Sequence, residues 1–248
     1  MEKGIQLSNV SFGYARDKQI LKDVTLAVTP GSFVGITGIN GSGKSTLTYL
    51  FNGLIPHSIP GKLTGEVTVN GVSTREKRVS YFAHDVGMVF QNPDFSLFNL
   101  TVSEEIDFGL KHLKKLSDAQ KVREALELVG LHGFENRDPQ TLSYGQKQKA
   151  CLASVLALDV SYIVLDEPTA MLDYKSSVEL YKLFSKLNRQ GKTIIVVEHD
   201  TDFLWNYADE TVLIDGGSIL AYGKTREVLS DHKQLSLLGI KIAHAARL

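Results

Sequence analysis

The sequence predicts an α/β fold with a parallel sheet and an inserted helical segment. Three observations carry this. Apolar runs at Tyr162 to Leu165 and Thr193 to Val197 flank a helical stretch, Ser176 to Gln190, and such β-α-β alternation implies parallel strands. An earlier apolar run, Phe33 to Thr37, leads through a glycine-rich turn into a helical pattern, Ser45 to Phe51. Between about Asn92 and Ala150 Leu, Lys and Glu replace β-branched residues, which marks a helical insertion.

The remaining elements follow in order. Ile5 to Leu7 and Val24 to Val28 alternate apolar and polar residues, as half-buried strands do, and Pro30-Gly31 marks a turn. Glu66 to Val69 with Asn70-Gly71 reads as a hairpin strand and its turn. Val86 to Phe90 is a buried-type strand. Within the insertion, Val122, Ala125, Leu126 and Val129 share one helical face, and Gly130 stops that helix. Val212 to Ile214 and Ser218 to Leu220, around Asp215-Gly216-Gly217, form a terminal hairpin, and Thr225 to Leu238 is helical.

Composition narrows the function classes. Of 248 residues, 43% are hydrophobic and 22% charged, which suits a folded chain. Lys and Arg number 27 against 28 Asp and Glu, so the basic excess of a nucleic-acid binder is missing. The single cysteine, Cys151, forms no internal disulfide, and a reducing compartment is expected. The most apolar region, Cys151 to Leu165, is broken by Asp159 and falls short of the ~18 residues of a membrane span. Met1-Glu2-Lys3-Gly4 leads straight into strand-like sequence, without a signal-peptide apolar region.

Chemistry enters with Gly38-Ile39-Asn40-Gly41-Ser42-Gly43-Lys44-Ser45, which fits G-x-x-x-x-G-K-[ST] between a strand and a helix. Glycines let successive backbone N–H groups face one anion, and the following helix adds its own free donors. Lys44 places a charge near the β- and γ-phosphates, and the Ser45 hydroxyl is a Mg²⁺ ligand. Tyr162 to Glu167 supplies an acidic partner: an apolar strand delivers Asp166 to its C-terminal end, where ligands of such sheets bind. Asp166 is expected to hold Mg²⁺ and Glu167, facing the other way, to polarise an attacking water.

Four further motifs stand in a particular order. Gln91 ends the strand Gly87 to Phe90, and Leu142-Ser143-Tyr144-Gly145-Gln146 precedes the acidic strand. Met171-Leu172-Asp173 follows Glu167-Pro168-Thr169, and His199 lies in Glu198-His199-Asp200. With the phosphate loop, this set resembles the ATP-binding subunit of ABC transporters, from Tyr14 to about Gly223. Asn52 to His57, Phe90 to Asp94 and Val197 to Asp200 are most similar to the A component, the ATPase, of energy-coupling factor (ECF) transporters.

The resemblance implies a P-loop NTPase (RecA-like) core, an N-terminal antiparallel β subdomain and a helical subdomain inserted at about residues 92–150. Residues 1–225 would be the ABC ATPase domain and 226–248 a C-terminal helical tail, with a contribution to dimer contact. By the same resemblance Tyr14 stacks on adenine. Gly38, Asn40, Gly41, Ser42, Gly43, Lys44, Ser45 and Thr46 bind the phosphates. Gln91 touches Mg²⁺ or the lytic water. Ser143, Gly145 and Gln146 bind ATP held by the opposite subunit, Asp173 contacts that subunit, and His199 contacts the γ-phosphate and holds Glu167. Tyr144 stands where the family usually has glycine.

These implied roles make each site incomplete without a second ABC ATPase subunit, a second copy or a paralogue. The implied partners are that subunit, a transmembrane scaffold subunit and a substrate-binding membrane subunit, with no nucleic acid. The implied place is the cytoplasmic face of the cell membrane, and the implied task is ATP-driven uptake of a vitamin or transition-metal ion. Two other readings stay open: the motor of another ABC importer, and a soluble ABC ATPase acting on nucleic acid or ribosomes. Against the last, the sequence between Lys44 and Asp166 leaves no room for a long coiled-coil arm.

Overall fold

One central sheet separates two apolar cores, and the alternation of side chains along its strands creates them. The computed structural model describes residues 3–14, 18–115 and 118–247. Met1, Glu2 and Leu248, at the outer ends of the two segments expected from sequence, lie outside the described residues.

In chain order the first elements are β1 (Ile5–Gly13), β2 (Leu21–Val28), β3 (Phe33–Thr37), α1 (Lys44–Thr48), α2 (Leu54–His57), β4 (Lys62–Val69), β5 (Val72–Ser73), α3 (Val79–Phe82) and β6 (Val86–Val89). The insertion follows as α4 (Val102–His112), α5 (Ala119–Leu128) and α6 (Tyr144–Ala157). The chain then runs through β7 (Tyr162–Asp166), α7 (Tyr174–Arg189), β8 (Thr193–Val197), α8 (Thr201–Tyr207), β9 (Glu210–Asp215), β10 (Ser218–Lys224), α9 (Thr225–Val228) and α10 (His232–Leu237).

The strands form two sheets. β2-β1-β4-β5 is antiparallel throughout. The larger sheet has the order β10-β9-β3-β8-β7-β6, parallel from β9 to β6, with β10 antiparallel at one edge. Every residue of β3, β7 and β8 is buried, which explains why these strands are apolar but for Thr37, Asp166 and Thr193 at their ends: both faces are covered. Along β7, Ile163 and Leu165 enter one core while Tyr162 and Val164 enter the other. β8 divides likewise, Ile194 and Val196 against Ile195 and Val197. The first core is closed by the insertion and by α7 and α8; the second by the antiparallel sheet and α1.

The elements depart from the sequence reading in three places. The last helix of the insertion runs to Ala157, past Ala150, because it also packs on the sheet. A Cβ at Gly87 of β6 would lie 2.5 Å from Val155 Cγ1, so glycine there lets helix and strand touch. The helix after the phosphate loop ends at Thr48, short of Phe51. Thr225 to Leu238 is two short helices, because Asp231 caps the second by accepting from Gln234 N.

The inserted helices start on side-chain caps. Thr101 accepts from Glu104 N while Glu104 accepts from Thr101 N, a reciprocal box that fills two free donors of α4. Thr101→Ala is expected to cost about 1 kcal/mol of stability. The measurement is urea unfolding, with a lower midpoint at unchanged slope; an unchanged midpoint would mean the cap is idle.

Candidate functional site

Strand register decides what meets at the site. Val89 pairs with Leu165, Asp166 with Val197, and Val197 with Ile36. The C-terminal ends of β6, β7, β8 and β3 therefore lie side by side along one edge of the sheet. The phosphate loop, Gln91, Glu167 and His199 all follow directly from those ends.

The phosphate loop is held by close backbone packing. A Cβ at Gly38 would lie 2.1 Å from the Ile214 carbonyl oxygen, so only glycine fits. Gly43 adopts φ 108° as the residue before α1, a conformation L side chains rarely take. Lys44 donates from Nζ to the carbonyls of Gly38 and Ile39, each at 2.9 Å. Burial lowers its pKa from the usual lysine value, while Glu167 and Asp166 pull it back up. The two carboxylates thus act on Lys44 electrostatically. Tyr14, about half exposed, pairs its hydroxyl with Thr46 Oγ1 at 2.9 Å, which brings the ring beside the loop.

Asp166 is 1% exposed. Burial pushes its carboxyl up from the usual carboxylate range; the neighbouring Ser45 hydroxyl and the Lys44 charge oppose this. Among the described residues, Asp166 Oδ1 and Ser42 Oγ have no hydrogen-bond partner despite full burial. Buried oxygens of this kind are normally satisfied, so both are open to a ligand. An orphaned carboxylate oxygen beside a hydroxyl is an oxygen donor set that suits Mg²⁺.

Glu167 departs from the strand. Its φ is 50°, a left-handed conformation rare outside glycine, and its N–H donates to the Val197 carbonyl at 3.1 Å. The turn aims its side chain at two others. Gln91 Nε2 donates to Oε2 at 2.7 Å, and His199 Nε2 lies 2.8 Å from Oε1. A carboxylate accepts, so Nε2 of His199 carries the proton in this contact. Each oxygen of Glu167 keeps a second lone pair for another donor.

The remaining residues form a separate stretch. Ser143 caps α6: its Oγ accepts from Gln146 N at 3.4 Å, and Gln146 Oε1 accepts from Ser143 N at 3.0 Å. Asp173 caps α7, accepting from Ser176 N and Ser176 Oγ at 2.9 Å each, bonds that hold its carboxyl below the usual range. Gly145 keeps the stretches together, since a Cβ there would lie 2.8 Å from Leu172 Cδ2. Tyr144 donates its hydroxyl to the Gln91 carbonyl at 2.8 Å. Lys147 adds an ion pair to Asp94 at 2.6 Å, so the start of α6 is fastened to the segment after β6.

Two polar residues here drew no role from the sequence, Thr169 and Glu198. Glu198 is 5% exposed and accepts from Thr169 Oγ1. The available signal was a charge placed directly after the apolar run Ile194 to Val197.

The chain matches the ABC transporter family over residues 21–170. A putative ABC transporter ATP-binding protein of Pyrococcus abyssi is 46% identical over 242 residues, 96% of this chain and 86% of that protein. The energy-coupling factor transporter ATP-binding protein EcfA of Methanocaldococcus jannaschii is 38% identical over 248 residues, 98% of this chain and 87% of that protein. Among solved structures, cbiO1 of Clostridium perfringens, part of the ABC transporter complex cbiONQ, superposes with TM-score 0.81 at 26% identity, covering 100% and 98% of the two chains. A dimeric ATP-binding cassette in a post-hydrolysis state, bound to ADP and Pi, superposes with TM-score 0.80 at 28% identity, covering 89% and 98%.

Proposed function

The chain belongs to the ABC transporter ATP-binding family, an ATPase family, and from that premise we propose that it is the motor subunit of an ECF-type transporter that takes up a vitamin or a transition-metal ion. The observation that carries the ATPase assignment to particular residues is the capture of Glu167 between Gln91 and His199, on the edge that bears the phosphate loop. Likeness to EcfA and to cbiO1 supports the transporter class.

The proposed chemistry joins this geometry to the roles that the family resemblance implies. Backbone N–H groups from Gly38 to Thr46 and the Lys44 ammonium bind the phosphates, and Tyr14 turns from Thr46 to stack on adenine. Ser45, Asp166 and Gln91 would hold Mg²⁺, which when bound would neutralise phosphate charge. Glu167 orients the attacking water through a free lone pair and takes its proton as the water oxygen bonds to the γ-phosphorus and the bond from that phosphorus to the β–γ bridging oxygen breaks, leaving ADP and phosphate. Gln91 and His199 fix the carboxylate against rotation, and His199 also contacts the γ-phosphate.

Ser143, Gly145 and Gln146 serve the nucleotide of a second ATPase subunit, a copy or a paralogue, and Asp173 contacts that subunit. ATP between two subunits adds contacts only the closed pair makes, so it shifts the population towards closure, and hydrolysis reverses the shift. The helical insertion passes that motion to a transmembrane scaffold subunit, beside a substrate-binding membrane subunit. Phe95 at 82% exposure and Leu100 at 81%, with Phe98 near them, offer it an apolar contact. No helix among the described residues is long and apolar enough to cross a membrane. The proposed attachment, at the cytoplasmic face, is through these partners.

The test is a gentle detergent pull-down from native membranes with mass spectrometry of the retained proteins. A multi-span scaffold with a small membrane binding subunit is the expected result. Retention of ribosomes, nucleic acid or soluble proteins alone would overturn the transporter reading and leave the ATP chemistry standing.

A further inference from the structure

We propose that Glu198 is a positioning residue for ATP hydrolysis, whose buried carboxylate locks His199 and the segment after Glu167 into one register. The proposal rests on the catalytic reading of Glu167 and His199 given above.

Glu198 follows β8 directly, and its backbone N–H donates to the Ile36 carbonyl at 3.0 Å, which pins it to β3. Its side chain accepts four hydrogen bonds. Oε1 takes the backbone N–H groups of His199 at 2.8 Å and Asp200 at 3.1 Å. Oε2 takes Thr169 Oγ1 at 2.6 Å and the Tyr181 hydroxyl at 3.0 Å. All four partners are neutral, and together they fill the acceptor capacity of the carboxylate. A charge this buried is tolerated only with such complete bonding, so the four donors and Glu198 fix one another.

The bonds close a ring around the reacting groups. From Glu167 the chain runs through Pro168 to Thr169, whose hydroxyl reaches Glu198. Glu198 holds the backbone of His199, and His199 returns to Glu167 at 2.8 Å. Opening the ring at Thr169 removes one restraint on the segment that follows Glu167, whose φ is 50°, and leaves its backbone bond to Val197. A residue in that conformation persists only when its surroundings over-determine it. Tyr181 lies outside the ring, on α7, stacked parallel to Phe203 with ring centroids 4.5 Å apart.

The two donors to Oε2 therefore separate positioning from structure. Thr169→Val keeps the shape and removes the ring bond. It is expected to lower kcat about tenfold, since small misplacements of reacting groups cost rate steeply. KM for Mg·ATP should stay within about twofold, and Thr169→Ser should restore kcat. Tyr181→Phe removes the other donor to the same oxygen; it should lower the melting temperature and leave kcat within about twofold. In a Glu167→Gln background, Thr169→Val should cost nothing further, because it acts through Glu167. Wild-type kcat in Thr169→Val, or an equal kcat loss in Tyr181→Phe, would overturn the proposal. If Glu167→Gln itself turned over freely, the catalytic reading would fail and take this proposal with it. Slow Glu167→Gln with normal Thr169→Val would remove this proposal alone.

Discussion

Glu167→Gln is expected to slow ATP turnover by roughly 10²–10⁴-fold while nucleotide still binds. The substitution keeps the size and the hydrogen-bonding frame. Its amide oxygen still accepts from His199 Nε2, and its amide nitrogen faces Gln91, whose own amide flips to present an oxygen. What disappears is the capacity to take a proton from water. Binding groups on the phosphate loop are untouched, so ATP persists in the variant and the closed pair accumulates. Single-turnover hydrolysis together with size-exclusion chromatography in Mg·ATP reads both effects. Rapid hydrolysis by Glu167→Gln would show that another group accepts the proton. Slow hydrolysis without an ATP-dependent dimer would keep the base assignment and remove the shared-site reading of Ser143, Gly145 and Gln146.

The phosphate loop and the strands were legible in the sequence because their constraints leave a mark on the residue types themselves. Gly38, whose Cβ would strike the Ile214 carbonyl of β9, and Gly43, which turns at φ 108°, both read as glycine in the motif. Strands covered on both faces read as apolar runs, which is why β3, β7 and β8 stand out. Non-local contacts were not legible. The helix that crosses the expected bound of the insertion, about Ala150, runs on to Ala157, where Val155 meets Gly87 across the core. The hydroxyl of Tyr144 finds the Gln91 carbonyl, and nothing in Leu142 to Gln146 announces that partner. Glu198 enters the sequence analysis only as the neighbour of His199; its bonding partners Thr169 and Tyr181 arrive from other parts of the chain. The left-handed turn at Glu167 is a further case, since side-chain alternation alone predicted a residue merely facing the other way.

Lys44→Ala is expected to weaken ATP binding by about 10–100-fold, the scale of a lost hydrogen bond to a charged group. Two consequences of the geometry set its form. Lys44 bonds the carbonyls of Gly38 and Ile39, so its removal takes a donor from both, and among the described residues only Ile39 keeps another, the backbone N–H of Ser42. The loss should therefore extend to ADP, which shares the loop, and titration calorimetry with both nucleotides checks this. Unchanged affinity for both would contradict the phosphate-loop assignment. The second consequence concerns pH. Burial lowers the pKa of Lys44, so the free protein loses this charge at lower pH than an exposed lysine would. Phosphate favours the charged form, and the contribution of Lys44 to affinity is complete below its lowered pKa and declines as pH rises through it. The wild-type protein should lose affinity on the alkaline side, and Lys44→Ala should lack that component. A parallel decline in both proteins would place the titrating group elsewhere.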